Sequence, residues 1–332
     1  MKELIQKLVA PSSPSGYENN VRDVIKAEVA PYADSVIVDA LGNLIVTKGK
    51  KSTNGKRIML SAHMDEIGII ATHVDKNGFV RFSNLGYLYP RNCVAAHVQF
   101  LSGVRGVIGV DALDDPSKQP SLDQLYIDVG ASSREDCPVR VGDAGVFERP
   151  YIDLGKRVVS KALDDRIGCV LLIEALKQIK ETPHELVFVF STQEEVGTRG
   201  ATTSAFRVDP DLGLAVDVTR TGDVPNTSKM EVSLGKGPAI KVKDGGMIAD
   251  PRIVDWMVET AQKANLPYQM EILEGGTTDA RVIQLTRAGV PSGCLSIPTR
   301  YIHSPAEMID LSDIENSLAL LLALLRNPVE LK

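Results

Sequence analysis

Apolar positions recur at helical spacing in the opening MKELIQKLVA and again in YENNVRDVIKAEVAPYA, with a Pro/Ser/Gly turn between them. SVIVDALGNLIVTKG then reads as two short strands about a turn, and KRIMLSAHMDEIG as a buried apolar strand that ends in polar residues. From residue 69 to about 159 the texture changes. Short alternating runs such as GFVRFSNLG, AAHVQFLSG, VRGVIGVDAL and LYIDVGA, punctuated by Gly and Asn, predict a small β-barrel or β-sandwich without a long helix. Beyond residue 163 helical and strand patterns alternate. DRIGCVLLIEALKQIKE, PRIVDWMVETAQKANL and TDARVIQLTRAG read as helices, and ELVFVFSTQ, LGLAVDV, PYQMEIL and VPSGCLSIP as strands. That alternation predicts an α/β fold, a mainly parallel sheet with helices on both faces. SDIENSLALLLALLRNP closes the chain as a helix with Ser312 expected at its N-cap. The expected division is an α/β domain from 1–68 and 160–332, interrupted by a β-rich insertion at 69–159.

At 332 residues the chain exceeds what one hydrophobic core organises, which agrees with two units. With 43% hydrophobic and 24% charged residues it has the composition of a soluble globular protein. A net charge of −6 leaves no basic footprint for nucleic acid, so no nucleic-acid partner is expected. The N-terminus lacks the apolar run of a secretory signal and no segment has the length of a membrane span, so a cytoplasmic location and no membrane association are expected. The four cysteines, Cys93, Cys137, Cys169 and Cys294, form no CxxC pair, which argues against structural disulfides and a cysteine-zinc site.

In open parallel α/β sheets ligands bind at the carboxyl ends of strands, so polar residues that directly follow apolar runs carry the chemistry. Five segments qualify. IMLSAHMDEIG places His63 and Asp65 two apart, on the same side of an extended backbone, a pairing that suits a metal-ligating imidazole oriented by a carboxylate. KALDDRIG sets Asp164 and Asp165 before a helix, where simple capping is the competing reading. VFVFSTQEEVGTRGA carries Glu194 and Glu195 past a strongly apolar strand, and two adjacent negative charges there call for a cation or a proton. LGLAVDVT delivers Asp217 and CLSIPTRYIHSPAEM delivers His303, which alone would read as an ordinary packed histidine. Together these segments offer two histidines and at least four carboxylates without cysteine, a donor set for zinc, cobalt or manganese. Two such ions roughly 4 Å apart would be clamped by a shared carboxylate.

AHMDEIG, ALDDRIG, STQEEVGTRGA, AVDVT and YIHSPAEM, in this order and across nearly the whole chain, resemble the signature of the M42 family of metallo-aminopeptidases. The resemblance implies an α/β catalytic domain with an inserted β-rich dimerisation domain, and dimers that commonly assemble to twelve subunits around a chamber. It also implies peptide substrates, homo-oligomers and two divalent metal ions. Residue by residue it implies that His63, Asp164, Glu195, Asp217 and His303 are metal ligands, with Asp164 bridging. Asp65 and Glu194 correspond to the family's catalytic pair, Asp65 orienting His63 and Glu194 acting as general base and acid. The bond between Asp164 and Asp165 is implied to be cis, turning the first carboxylate inward. Gly275, Gly276, Thr277, Thr278 and Asp279, in EGGTTDARV, correspond to a loop bordering the substrate pocket. This loop lacks the Lys and the spacing of a phosphate-binding loop.

Some relatives carry an endoglucanase label, so glycoside hydrolysis is one alternative, and a non-catalytic assembly scaffold is another. Glycosidases use two carboxylates, need no transition metal and favour an aromatic-lined groove. Aromatics are only 5% of this chain, with one tryptophan, Trp256, inside a predicted helix, and Glu194 is present where a scaffold would have lost its base. Arg220, Lys241 and Lys243 fall near site segments as candidate readers of an acidic side chain, though solvated surface lysines are commoner. His73, His97 and His184 receive no functional assignment.

Overall fold

The computed structural model describes every residue except 114, 116, 228, 330 and 332. The first segment forms α1 (Lys2–Val9), α2 (Asn19–Val29), β1 (Ser35–Val38), β2 (Leu44–Lys48) and β3 (Arg57–His63). Next come β4 (Gly68–Val74), β5 (Val80–Leu85), the single turn α3 (Pro90–Cys93), β6 (His97–Phe100), β7 (Arg105–Val110), β8 (Leu125–Asp128) and β9 (Ala144–Phe147). The chain continues through β10 (Ile152–Asp153), β11 (Arg157–Ser160), α4 (Leu163–Gln178), β12 (Glu185–Ser191), α5 (Arg199–Val208), β13 (Leu212–Thr219) and β14 (Ala239–Lys243). It ends with α6 (Pro251–Lys263), β15 (Gln269–Ile272), α7 (Ala280–Gln284), β16 (Ser292–Arg300), β17 (Glu307–Asp310) and α8 (Leu311–Arg326).

Strand alternation dictates how the large sheet is covered. In β12, Leu186, Phe188 and Phe190 point to the main core, while Val187 and Val189 point to a second, smaller one. In β3, Ile58 and Leu60 face the first core and Met59 the second. The main core is closed by α1, α2, α4, α6 and α8, and the second by Ala205 and Val208 of α5 and Ile283 of α7. Helices therefore cover both faces. The centre of the sheet is the parallel run β12-β3-β13-β16, to which antiparallel strands are added, β2 and β1 on one side and β17, β11 and β10 on the other. The sheet is thus mixed, with its parallel part at the centre.

β4 to β9 close into a barrel in the order β4-β5-β8-β7-β6-β9. Its interior is filled by Ile69, Val80, Phe82, Val98, Phe100, Ile108 and Ile127. Between the barrel or sandwich expected for the middle of the chain, the structure selects the barrel. β10, inside the 69–159 range, and β11, which crosses its end, pair into the large sheet through β17 rather than into the barrel.

Two local features set the frame of the site. Arg166, fully buried, donates from Nε to the Met64 carbonyl at 2.6 Å, from one terminal nitrogen to the Leu8 carbonyl at 2.7 Å, and lies 3.3 Å from Glu66. It thereby ties the start of α4 to α1 and to the segment after β3. Gly168 lets α4 press on the sheet, since a Cβ there would stand 2.5 Å from an Asp165 oxygen and from the Val216 carbonyl. One sequence expectation is corrected here. Ser312 is not the cap of the last helix, because Asp310 precedes it as N-cap and its Oδ1 accepts from the Ser312 N–H at 3.1 Å. A carboxylate reaches the free N–H groups of the first turn as well as a serine hydroxyl does, and it favours the positive end of the helix dipole.

Candidate active site

The carboxyl ends of the central strands meet at a cavity of about 270 Å³. His63 ends β3 and pairs in parallel register with Ser191, which ends β12, so the chain that follows β12 carries Glu194 and Glu195 past the imidazole. Asp217 lies near the end of β13, and the loop from β16 to β17 brings in His303 with a left-handed φ of 60°. Asp164 enters from the first turn of α4, where Asp164 and Asp165 depart from helical dihedrals and are joined by a cis bond, as the resemblance implied.

These five elements bring His63, Asp164, Glu194, Glu195, Asp217 and His303 onto the wall of one cavity. His63 Nε2 is 3.0 Å from Asp164 Oδ1. Asp164 Oδ2 is 3.3 Å from His303 Nε2, which is 3.2 Å from Glu195 Oε2. Two sets of donor atoms result: His63, Asp164 and Asp217 in one, and Asp164, Glu195 and His303 in the other, with the atoms of each set within 4.8 Å of one another. Asp164 belongs to both. Gly86, in the left-handed region at φ 80°, leaves space for this arrangement, since a Cβ there would lie 2.9 Å from Glu195 Oε2.

The charges are out of balance. Burial pushes the Glu194 carboxyl well above the usual range, with Asp217, Asp279 and Glu195 adding to the shift and His63 opposing it. Burial likewise raises Asp217 to about 8, reinforced by Asp164 and relieved in part by His63. Burial also disfavours the His63 imidazolium, but Asp164 and Asp65 outweigh it and hold that pKa well above its ordinary value. Glu195 Oε1 is buried with no hydrogen-bond partner. Four carboxylates facing two imidazoles, with a bare oxygen among them, fit divalent cations held by nitrogen and oxygen donors.

Asp65 does more than its spacing suggested. The nearest acceptor to His63 Nδ1 is the Asp65 main-chain carbonyl at 3.0 Å, with the carboxylate Oδ1 at 3.5 Å. Either contact holds a proton on Nδ1, so that Nε2, which faces Asp164, is the nitrogen that would give up its proton to a cation. The carboxylate also accepts the N–H of Glu194 at 3.0 Å, the N–H of Glu195 at 3.2 Å and the Ser15 hydroxyl at 2.6 Å. It is therefore the anchor of the Glu194-Glu195 turn. Asp165 turns the other way, accepting the His63 N–H at 3.2 Å and the Gly168 N–H at 3.0 Å.

Gly275, Gly276, Thr277 and Thr278 line the far wall of the cavity. Asp279 lies behind that wall, where one oxygen accepts from the Ser61 and Ser191 hydroxyls, each at 2.6 Å. Tyr87, Thr219, Leu273 and Ile302 also line the walls, and no spacing in the sequence marks them. Tyr87 comes from the connection after β5 and its ring centre lies 6.2 Å from that of His303. Of the three cations considered from sequence, Lys241 lines the cavity but is buried in an ion pair with Glu271, which also accepts from the Thr219 hydroxyl at 2.7 Å. Arg220 lines it too and donates to the Tyr89 hydroxyl, whereas Lys243 is exposed.

A profile of the family described as M42 glutamyl aminopeptidase matches residues 42–320. The chain belongs to the M42 family. It is 37% identical over 340 residues to a lysyl aminopeptidase of Pyrococcus furiosus, covering 97% of this chain and 96% of that one. Its fold superposes on an aminopeptidase of the archaeon Desulfurococcus kamchatkensis with a TM-score of 0.93 at 41% identity, covering 98% and 94% of the two chains. A second solved structure, the dodecamer PhTET1-12s, matches with a TM-score of 0.88 at 34% identity and 98% coverage of each chain. Membership supports a peptidase of aminopeptidase type, and the α/β fold with a closed barrel is that of these M42 relatives. Among the described residues no helix is long and apolar enough to cross a membrane.

Proposed function

We propose that this M42 chain removes N-terminal residues from peptides by hydrolysis at a centre of two divalent cations. The observation that carries the reading is the pair of donor sets that overlap at Asp164. His63 and Asp217 would hold one ion, Glu195 and His303 the other, and Asp164 both. When bound, such ions lower the pKa of a water and polarise the scissile carbonyl. Glu194, on the cavity wall beside both donor sets, accepts the water proton and returns it to the leaving amine. Asp65 keeps Glu194 in place through its main-chain N–H and keeps the His63 lone pair available. The wall from Gly275 to Thr278, with Tyr87, Thr219, Leu273 and Ile302, encloses the N-terminal residue of the substrate. Zinc, cobalt and manganese all suit the donors.

The same reading assigns 1–68 and 160–332 to catalysis and 69–159, which contains the barrel apart from Gly68, to dimerisation. It extends to a homo-oligomer built from dimers, with twelve subunits as in PhTET1-12s. Light scattering after size exclusion measures that number directly.

The test of the chemistry is hydrolysis of a panel of amino-acid p-nitroanilides by protein stripped with chelator and resupplied with zinc, cobalt or manganese. Metal should restore cleavage in the wild type, while Glu194→Gln should fall by at least about 100-fold, the contribution of a positioned general base. If neither form cleaves any anilide and the stripped protein degrades cellulose, the peptidase chemistry is wrong and glycoside hydrolysis replaces it.

A further inference from the structure

Glu307 opens β17 and is 1% exposed, its backbone paired with Ser160 at the end of β11. Its two carboxylate oxygens go to different partners. Oε2 accepts the main-chain N–H of Asp164 and Oε1 the main-chain N–H of His303, both at 3.0 Å. Those are the residues whose side chains face each other across the centre at 3.3 Å. One comes from the first turn of α4 and the other from the loop between β16 and β17, so nothing in the chain connectivity sets their separation.

The two histidines are oriented by different means. His63 is fixed from behind by Asp65 at its Nδ1. His303 Nδ1 is buried and has no hydrogen-bond partner, so its ring is not oriented from behind by any such contact. Its backbone has left-handed φ, and the bond that pins this backbone is the one to Glu307.

We propose that Glu307 is a positioning residue for the two-cation centre. Its carboxylate clamps the main chain of Asp164 and His303 at the separation at which both side chains would reach the one ion they share. The inference rests on the metal reading given above. Two acceptors on one rigid strand position are required, and only a carboxylate supplies them to two N–H donors. Glu307→Gln has the same size but one acceptor, so its amide group faces one of the two N–H groups. Glu307→Asp keeps the charge but is one methylene too short to reach both.

The experiment is a titration of cobalt into the chelator-stripped, full-length protein, followed by calorimetry and by the visible absorption of the bound ion, for wild type, Glu307→Gln and Glu307→Asp. Partners that hold metal ligands in place are worth about 10- to 100-fold in affinity. The expected result is that loss in one of two sites, the one Asp164 and His303 share, for Glu307→Gln, an altered cobalt spectrum, and kcat that recovers as cobalt is raised. Glu307→Asp should fall between the two, and it carries the same comparison if the glutamine variant does not fold. Wild-type affinity and spectrum in both variants would overturn the proposal, as would a drop in metal-free Tm with cobalt affinity unchanged, which marks a merely structural role. A wild-type protein that takes up no cobalt would instead bring down the metal reading itself.

Discussion

Asp65→Asn is nearly isosteric, yet the structure makes it costly. The native carboxylate accepts from the N–H of Glu194 at 3.0 Å on one oxygen, and from the N–H of Glu195 at 3.2 Å and the Ser15 hydroxyl at 2.6 Å on the other. An asparagine has one acceptor oxygen, so its NH2 must face one of the two N–H donors. The Ser15 hydroxyl can rotate to accept, but a main-chain N–H cannot. One buried donor is left without a partner and the remaining bond loses its charge, together worth about 2–4 kcal/mol. Part of that loss falls on activity, because Glu194 hangs from this contact and a displacement of about 1 Å at a reacting group costs on the order of 100-fold. We expect kcat on a p-nitroanilide to fall by about 10- to 100-fold at saturating metal. Urea unfolding at fixed protein concentration, followed by Trp256 fluorescence, should show the stability loss. A variant within about twofold of wild-type kcat and about 0.5 kcal/mol of its stability would refute the assignment of Asp65 as the anchor of the Glu194 turn.

Phe188→Ala empties a fully buried position on the main-core face of β12 and should destabilise the protein by about 3–5 kcal/mol in the same urea assay, with the anilide KM of the folded fraction unchanged. Asp223 is opposed by burial but held down to about 2 by Arg300, which donates to its Oδ1 at 2.9 Å and its Oδ2 at 2.6 Å. A carboxyl whose pKa is lowered on folding stabilises above its unfolded pKa of about 3.9 and loses that effect as pH falls through the folded value. The urea midpoints of wild type and Asp223→Asn should therefore differ at pH 6 and converge as the pH is taken from about 4 toward 2; a gap that stays constant over that range refutes the pairing.

The elements and the segments that carry the site were legible in the sequence because both rest on local rules. Continuous apolar runs such as LVFVF fit a strand buried on both faces between helical layers, and the polar residues that follow such runs emerge at the strand ends. That marked the five segments, and the resemblance to the M42 family then picked out His63, Asp164, Glu194, Glu195, Asp217 and His303, which the fold brings to one cavity. Their mutual geometry was not legible. Spacing within a segment carries no information on how five segments meet, and that is set by the parallel register of β3, β12, β13 and β16 and by the packing of α4 against them. The same limit hid Tyr87, which reaches the cavity from the connection after β5, and Glu307, whose work is done by reaching two main-chain N–H groups far apart in the chain. It also misplaced the cap of α8, where serine and aspartate two residues apart are both good caps and only the backbone path from β17 chooses Asp310. Sequence patterning determined which side chains stand at the strand ends, because burial of alternating faces is a local requirement. Only the tertiary structure decided their distances and partners, because hydrogen bonds and close carboxylate contacts depend on tenths of an ångström between elements that the chain itself keeps far apart.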